Sequence, residues 1–255
     1  MALPSLRAPV GQLMRWHGHR QNRLLVCLHP AGSGASSFAG WPRQLADCAD
    51  LVLVQLPGRE DRLAEPLDEP LPALASQLAS ALVCAGNEHL LLLGHSMGAT
   101  IAWRVAAELW RVHGRRAKVV LSSRAPLAPV AAGWTTDASL PAWFQLMGEP
   151  VPAALAQSDL QQLMRQTLDQ DMAWMQREFD RTPPETLPLD LTCVCAQDDQ
   201  LATCEQMSGW RNFTTGAFEL HRLPGGHLHL INRPQGVIRV ARELLERTQP
   251  TCCTN

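Results

Sequence analysis

The chain has 255 residues, of which 46% are hydrophobic and 18% charged, with a formal net charge of −2. That length accommodates one sizeable α/β domain, and the near-neutral balance gives no electrostatic case for nucleic acid or an anionic membrane surface. Met1 to Arg23 lacks an apolar core of signal-peptide length and no run approaches a membrane span, so a cytoplasmic protein is expected. In chain order, apolar runs bounded by turn residues predict strands at 24–28, 51–56, 90–93, 119–122, 191–196 and 218–223. Most lack polar alternation, as parallel strands covered on both faces do. Helical periodicity falls between them, with Leu74, Leu78 and Leu82 in 71–84 and Ile101, Val105 and Leu109 in 97–112. A last helix is predicted over 237–245, after Pro234. This rhythm predicts an α/β doubly wound, mostly parallel sheet with right-handed crossovers.

One segment breaks the rhythm. Between 127 and 189 no strand is predicted, but helical pieces occur at 140–147 and 158–179, bracketed by prolines. The expected organisation is a core of 1–126 and 190–248, a helical lid inserted at 127–189, and a disordered tail at 249–255. Trp143, Phe144, Leu146, Met147, Leu163, Met164, Met172, Trp174 and Met175 either line a channel under this lid or pack it onto the core. Cys27, Cys193 and Cys195 fall inside predicted strands, where a thiol acts as a small hydrophobe. Cys48, Cys84 and Cys204 are scattered, and there is no C-x-x-C pair or zinc spacing. Neither a disulfide framework nor a bound metal is expected. Arg111, Arg115, Arg116 and Lys118 read as a solvated helix end.

The chemistry-bearing residues sit where predicted strands end. The apolar run 90–93 leads into Gly94-His95-Ser96-Met97-Gly98 and then a helical pattern. A serine at a sharp strand-to-helix turn is exposed and strained, and only small residues fit two positions away. A serine hydroxyl is a weak nucleophile and needs a base, usually a histidine oriented by an acid. Asp198 and Asp199 follow the fifth predicted strand, and Pro224-Gly225-Gly226-His227 follows the sixth. This gives the order serine, acid, histidine found in α/β-hydrolases. His227 is preferred as base over His229, and His95 is assigned to packing. One of the two aspartates caps a turn while the other serves as the acid. The loop His29-Pro30-Ala31-Gly32 after the first predicted strand is placed to supply an oxyanion donor from Ala31, with Met97 supplying the other.

With these blocks in register, the chain resembles the stand-alone type II thioesterases of nonribosomal peptide and polyketide synthase systems. Pro30-Ala31-Gly32, Phe38, Trp41, the block Gln55-Leu56-Pro57-Gly58-Arg59-Glu60-Asp61-Arg62, the elbow and the closing Pro224-Gly225-Gly226-His227 carry the resemblance, from about residue 24 to 232. It implies an α/β-hydrolase fold with Ser96 as nucleophile, His227 as base, Asp199 rather than Asp198 as acid, and Ala31 and Met97 as oxyanion donors. It further implies hydrolysis of acyl thioesters held on the phosphopantetheine arm of acyl or peptidyl carrier domains, in pathways such as those to siderophores and antibiotics. No cofactor, nucleic acid or membrane is implied, and a monomer is expected. The family's Leu-Arg-Ala-Asp stretch appears here as Leu168-Asp169-Gln170-Asp171, which leaves lid shape open. Arg59, Glu60 and Arg62 are assigned to holding their loop by ion pairs in preference to meeting the pantetheine phosphate. A general serine esterase or lipase, an acyl-transferring thioesterase and a non-catalytic carrier-protein binder are the competing readings.

Overall fold

The strands pack because each presents apolar side chains to both faces. In β2 (Arg23–Leu28), Leu24, Val26 and Leu28 enter one core, while Leu25 and Cys27 enter the other. A computed structural model of the chain describes residues 13–18, 22–128, 139–179 and 183–247. The expected tail 249–255 lies outside the described residues.

The strands β1 (Met14–His17), β2, β3 (Asp50–Val54), β4 (His89–His95), β5 (Lys118–Ser122), β6 (Leu191–Ala196) and β7 (Phe218–Leu223) form one sheet in the order β1-β3-β2-β4-β5-β6-β7. All neighbouring pairs are parallel except β1 and β3. The six predicted strands are present, and the sheet is the doubly wound one expected. β1 was not foreseen: four residues with two half-buried and one exposed carry no readable period, and an antiparallel edge strand needs none.

The helices are α1 (Trp41–Leu45), α2 (Leu71–Ala85), α3 (Met97–His113), α4 (Leu140–Leu146), α5 (Ser158–Phe179), α6 (Cys204–Ser208), α7 (His229–Asn232) and α8 (Gln235–Glu246). The leucine stripe of α2 and the Ile101, Val105, Leu109 stripe of α3 are buried in the first core. Val237, Val240, Ala241 and Leu244 of α8, with Phe38 and Trp41, fill the second. Each such leucine or valine contributes about 1.5–3 kcal/mol by leaving water. Between β5 and β6 the chain makes α4 and α5 and, among the described residues, no strand of the sheet. The carboxyl ends of the parallel strands β2, β4, β5, β6 and β7 lie side by side along one end of the sheet, and the loops that follow them can meet there.

One expectation fails. Cys195 is not a free thiol: it is disulfide-bonded to Cys204, with Cα atoms 5.2 Å apart. The turn after β6 folds back so that α6 starts beside the strand it has just left, which brings the two residues within bridging distance. A nine-residue separation carries no local signal of that return. Cys27 and Cys193 are buried and free, as expected, and burial raises their thiol pKa.

Candidate active site

Ser96 stands between the end of β4 and the start of α3, with φ 52° and ψ −116°. A non-glycine residue in that region is strained and persists only where its surroundings fix it. Two close approaches do so. A Cβ on Gly94 would lie 2.1 Å from the Gly98 carbonyl oxygen, and one on Gly98 would lie 2.2 Å from that of Leu28. The elbow therefore packs backbone against backbone, directly against the end of β2. Ser96 N–H donates to the Ser122 carbonyl on β5 at 2.8 Å, which pins the turn from the other side. α3 then runs for 17 residues with its unpaired N–H groups and positive dipole end at the serine.

The two loops predicted to complete the site converge on it. His227 Nε2 lies 3.0 Å from Ser96 Oγ, and His227 Nδ1 lies 3.0 and 3.1 Å from the two carboxylate oxygens of Asp199. Asp198 is exposed, and its N–H donates to the Gly225 carbonyl. Of the aspartate pair it is thus Asp199 that faces the histidine. Asp199 also accepts from the N–H groups of Leu201 and Ala202, both at 3.0 Å, and from the Ser123 hydroxyl. Burial by itself would raise the Asp199 carboxyl; the hydrogen bond and charge of His227, with Ser123 and Ala202, outweigh it and hold the pKa below the ordinary carboxylate value.

Behind the histidine lies a buried polar layer. His95 Nδ1 is 2.9 Å from Ser122 Oγ, which is 3.2 Å from His229 Nε2. This second serine–histidine contact is closed off, because Ser122 is fully buried. Burial drives His229 down to about 4, helped by the charge of His227 and opposed by the Gly226 carbonyl, and drives His95 well below its ordinary value. Both rings are neutral: His95 packs against His227, with ring centroids 5.5 Å apart, and His229 packs edge-on against His95 at 5.4 Å. His29, at the end of β2, is likewise pushed down to about 3 by burial and by Arg59.

Above Ser96 and His227 opens a cavity of about 310 Å³. Of the aromatic and methionine-rich set singled out in the insertion, Trp143, Leu146, Met172 and Met175 line it. Phe144, Met147 and Trp174 pack into the core instead, and Leu163 is exposed. The segment between β5 and β6 is stitched to the loop of His227: His227 N–H donates to the Met147 carbonyl at 2.8 Å, and Leu228 N–H to Glu149 at 2.9 Å.

The basic block after β3 turns inward. Arg59, 3% exposed, pairs with the fully buried Asp171 of α5 through contacts of 2.5 and 2.7 Å. Further donors go to the carbonyls of Pro57 and Ser33. Four of its five N–H groups are thus committed inside the fold, and the side chain is turned away from an incoming phosphate. Arg62 pairs with Glu65 and the Gln55 carbonyl, and Glu60, at φ 49°, accepts from Ser36 N–H. Burial raises the Asp171 carboxyl pKa, and Arg59 and the Gly32 N–H oppose that rise. Sequence reasoning gave no role to Asp171, which it met only within the stretch Leu168-Asp169-Gln170-Asp171, nor to Ser123, Glu149 and Cys204. For Asp171 a signal existed: it falls in the stripe of Leu168, Met172 and Met175 on α5, and a carboxylate in an apolar stripe needs a buried partner.

The elbow, the serine–acid–histidine order along the chain and the sheet place this protein in the α/β-hydrolase class of serine hydrolases. More narrowly, the chain belongs to the thioesterase domain family, whose model matches residues 23–245. It is 29% identical over 248 residues to the AMB antimetabolite synthetase AmbE of Pseudomonas aeruginosa, covering 91% of this chain and 11% of that protein. A probable cadicidin biosynthesis thioesterase of Streptomyces griseus is 29% identical over 225 residues, covering 86% of this chain and 61% of the relative. The chain thus spans less than two thirds of the length of these relatives. Among solved structures, the type II thioesterase BorB from the borrelidin biosynthetic cluster aligns with a TM-score of 0.77 at 26% identity, over 92% of this chain and 98% of that one.

Proposed function

We propose that the protein is a stand-alone thioesterase that hydrolyses stalled or misloaded acyl thioesters from phosphopantetheine arms of acyl or peptidyl carrier domains, in nonribosomal peptide or polyketide synthesis. The observation that carries this reading is the hydrogen-bonded chain Ser96–His227–Asp199 at the floor of a largely apolar cavity, in a member of the thioesterase family. The likeness to BorB, a type II thioesterase of nearly the same extent, supports the stand-alone role. In this reading α4 and α5 belong to a lid over 127–189, and the enzyme is a cytoplasmic monomer that needs no cofactor of its own. Among the described residues no helix is long and apolar enough to cross a membrane.

The chemistry follows from the geometry. His227 Nε2 takes the Ser96 proton as Oγ attacks the thioester carbonyl, and the negative charge moves to the carbonyl oxygen. The N–H groups of Ala31 and Met97 receive that oxyanion, the second at the positive end of α3. Collapse breaks the C–S bond, and His227 returns its proton to the departing pantetheine thiolate. Asp199 fixes the imidazole and stabilises its charged form in each half-reaction. Water then attacks the acyl-Ser96 ester with His227 as base, and the free acid leaves as Ser96 regains its proton.

The test presents one acyl group in three forms: on a holo carrier protein, on coenzyme A and as a small ester. Preference for the carrier-bound form, abolished in Ser96→Ala, is expected. Equal or faster cleavage of the small ester would instead mark a general esterase. Carrier binding without Ser96-dependent turnover would mark a non-catalytic partner.

A further inference from the structure

The pair Arg59–Asp171 lies outside the serine–histidine–aspartate chain, yet it touches the loop that carries the proposed oxyanion donor Ala31. Asp171 Oδ2 accepts the Gly32 N–H at 2.7 Å, one peptide beyond Ala31, while Arg59 Nη1 donates to the Ser33 carbonyl at 3.1 Å. The same carboxylate takes both arms of the guanidinium, and neither partner meets water. Gly32 has φ 72°, and a Cβ there would lie 3.2 Å from Leu168 of α5. A Cβ on Gly58 would lie 2.4 Å from Gln170 of the same helix. Helix α5 therefore rests directly on both loops, and its fully buried Asp171 carboxylate holds the peptide groups of 31–33 in a single orientation.

We infer that Arg59 and Asp171 are positioning residues for the reaction: they aim the Ala31 N–H at the developing oxyanion and make that aim depend on α5 being seated. The inference rests on the thioesterase reading above. Neither residue lines the cavity that holds Ser96, so they act through the loop and not through contact with substrate. Geometry of this kind is worth much: removing one oxyanion donor costs about 10²–10³ in kcat, and a misplacement of about 1 Å about 10². A buried ion pair is in contrast a poor way to gain stability alone, since its desolvation offsets much of its attraction.

The experiment compares Asp171→Asn and Arg59→Lys with wild type well below their melting temperatures. It measures kcat and KM on an acyl thioester, the affinity for a trifluoromethyl ketone analogue of that substrate, and the affinity for the free acid product. The ketone forms a hemiketal with Ser96 and fills the oxyanion site; the product does not. The expected result is a loss of about 10- to 100-fold in kcat, KM within about twofold, ketone affinity falling in parallel with kcat/KM, and product affinity unchanged. Two results overturn the inference. One is a lower melting temperature with kcat and ketone affinity within about twofold of wild type, which leaves only a structural brace. The other is a change in KM and product affinity with kcat intact, which assigns the pair to the pocket. Arg59→Lys keeps the charge and stands in should Asp171→Asn fail to fold. If wild type binds the ketone but does not cleave thioesters, the thioesterase reading fails, while the ranking of ketone affinities still decides the role of the pair.

Discussion

On one side of Ser96, Asp199 is held by groups close to it along the chain: the N–H groups of Leu201 and Ala202, and the Cys195–Cys204 disulfide that closes its loop. On the other side, the Gly32 N–H is held by an aspartate 139 residues away, on α5 between β5 and β6. The two sides serve one reaction but are built differently. The acid loop is a local object, whose geometry a short segment can largely specify. The oxyanion loop takes its shape from a helix that must arrive and dock. A disturbance of α5 should reach the oxyanion side and leave the relay of His227 and Asp199 aligned, because the His227 loop is bonded to Met147 and Glu149 after α4 and not to α5.

The largest effect expected on the acid side is that of Asp199→Asn, which keeps the shape and removes the charge that orients His227. A fall of up to about 10⁴ in kcat is expected, with little change in KM, in steady-state thioester hydrolysis. A much smaller loss would mean that backbone contacts, such as the His227 N–H to the Met147 carbonyl, position the ring without the carboxylate.

Acid titration compares the two sides within one protein. His229 behind the relay and His29 beside the oxyanion loop are held neutral, with values of about 4 and about 3 against an ordinary 6.5. Below pH 6.5 the unfolded chain binds protons at these positions that the folded chain refuses. Their contribution to stability is thus complete above pH 6.5 and is lost as pH falls toward 4 and then 3, on the order of 3 kcal/mol for His229 alone. Urea midpoints measured from pH 7 to pH 4 should fall, and His229→Gln should flatten the slope. A slope unchanged by that substitution would place the sensitivity elsewhere.

Cys204→Ser removes the loop closure and sharpens the contrast further. The change should lower stability by roughly 2–3 kcal/mol, as expected for a loop this short. If local hydrogen bonds suffice to set Asp199, kcat stays within about threefold when measured well below the melting temperature. A large loss of kcat would show that the covalent closure, and not the backbone donors, holds the acid.

The strands, the elbow and the loop ends were legible because each rests on short-range chemistry. Gly94 and Gly98 could be read as obligatory because a turn that exposes Ser96 leaves no room for a Cβ. Distinguishing Asp199 from Asp198 was beyond spacing alone and rested on the family resemblance; in the fold one faces His227 and the other faces solvent. The inward direction of Arg59 favours the ion-pair reading of that block, but its partner was not identified. The disulfide was missed outright, since the expectation was drawn from motif spacing while the bridge depends on how the chain returns to β6.

By itself the sequence determined the alternation of strands and helices, the strained serine turn and the order of serine, acid and histidine, because hydrophobic period and glycine sterics act over a few residues. Only the tertiary structure decided which buried carboxylate meets which partner. Asp199 with His227 are 28 residues apart, and Asp171 with Arg59 are 112 apart. The physical reason is that a charge leaves water only where another charge or a set of donors is waiting, and that meeting place exists only once the sheet has brought its loop ends together.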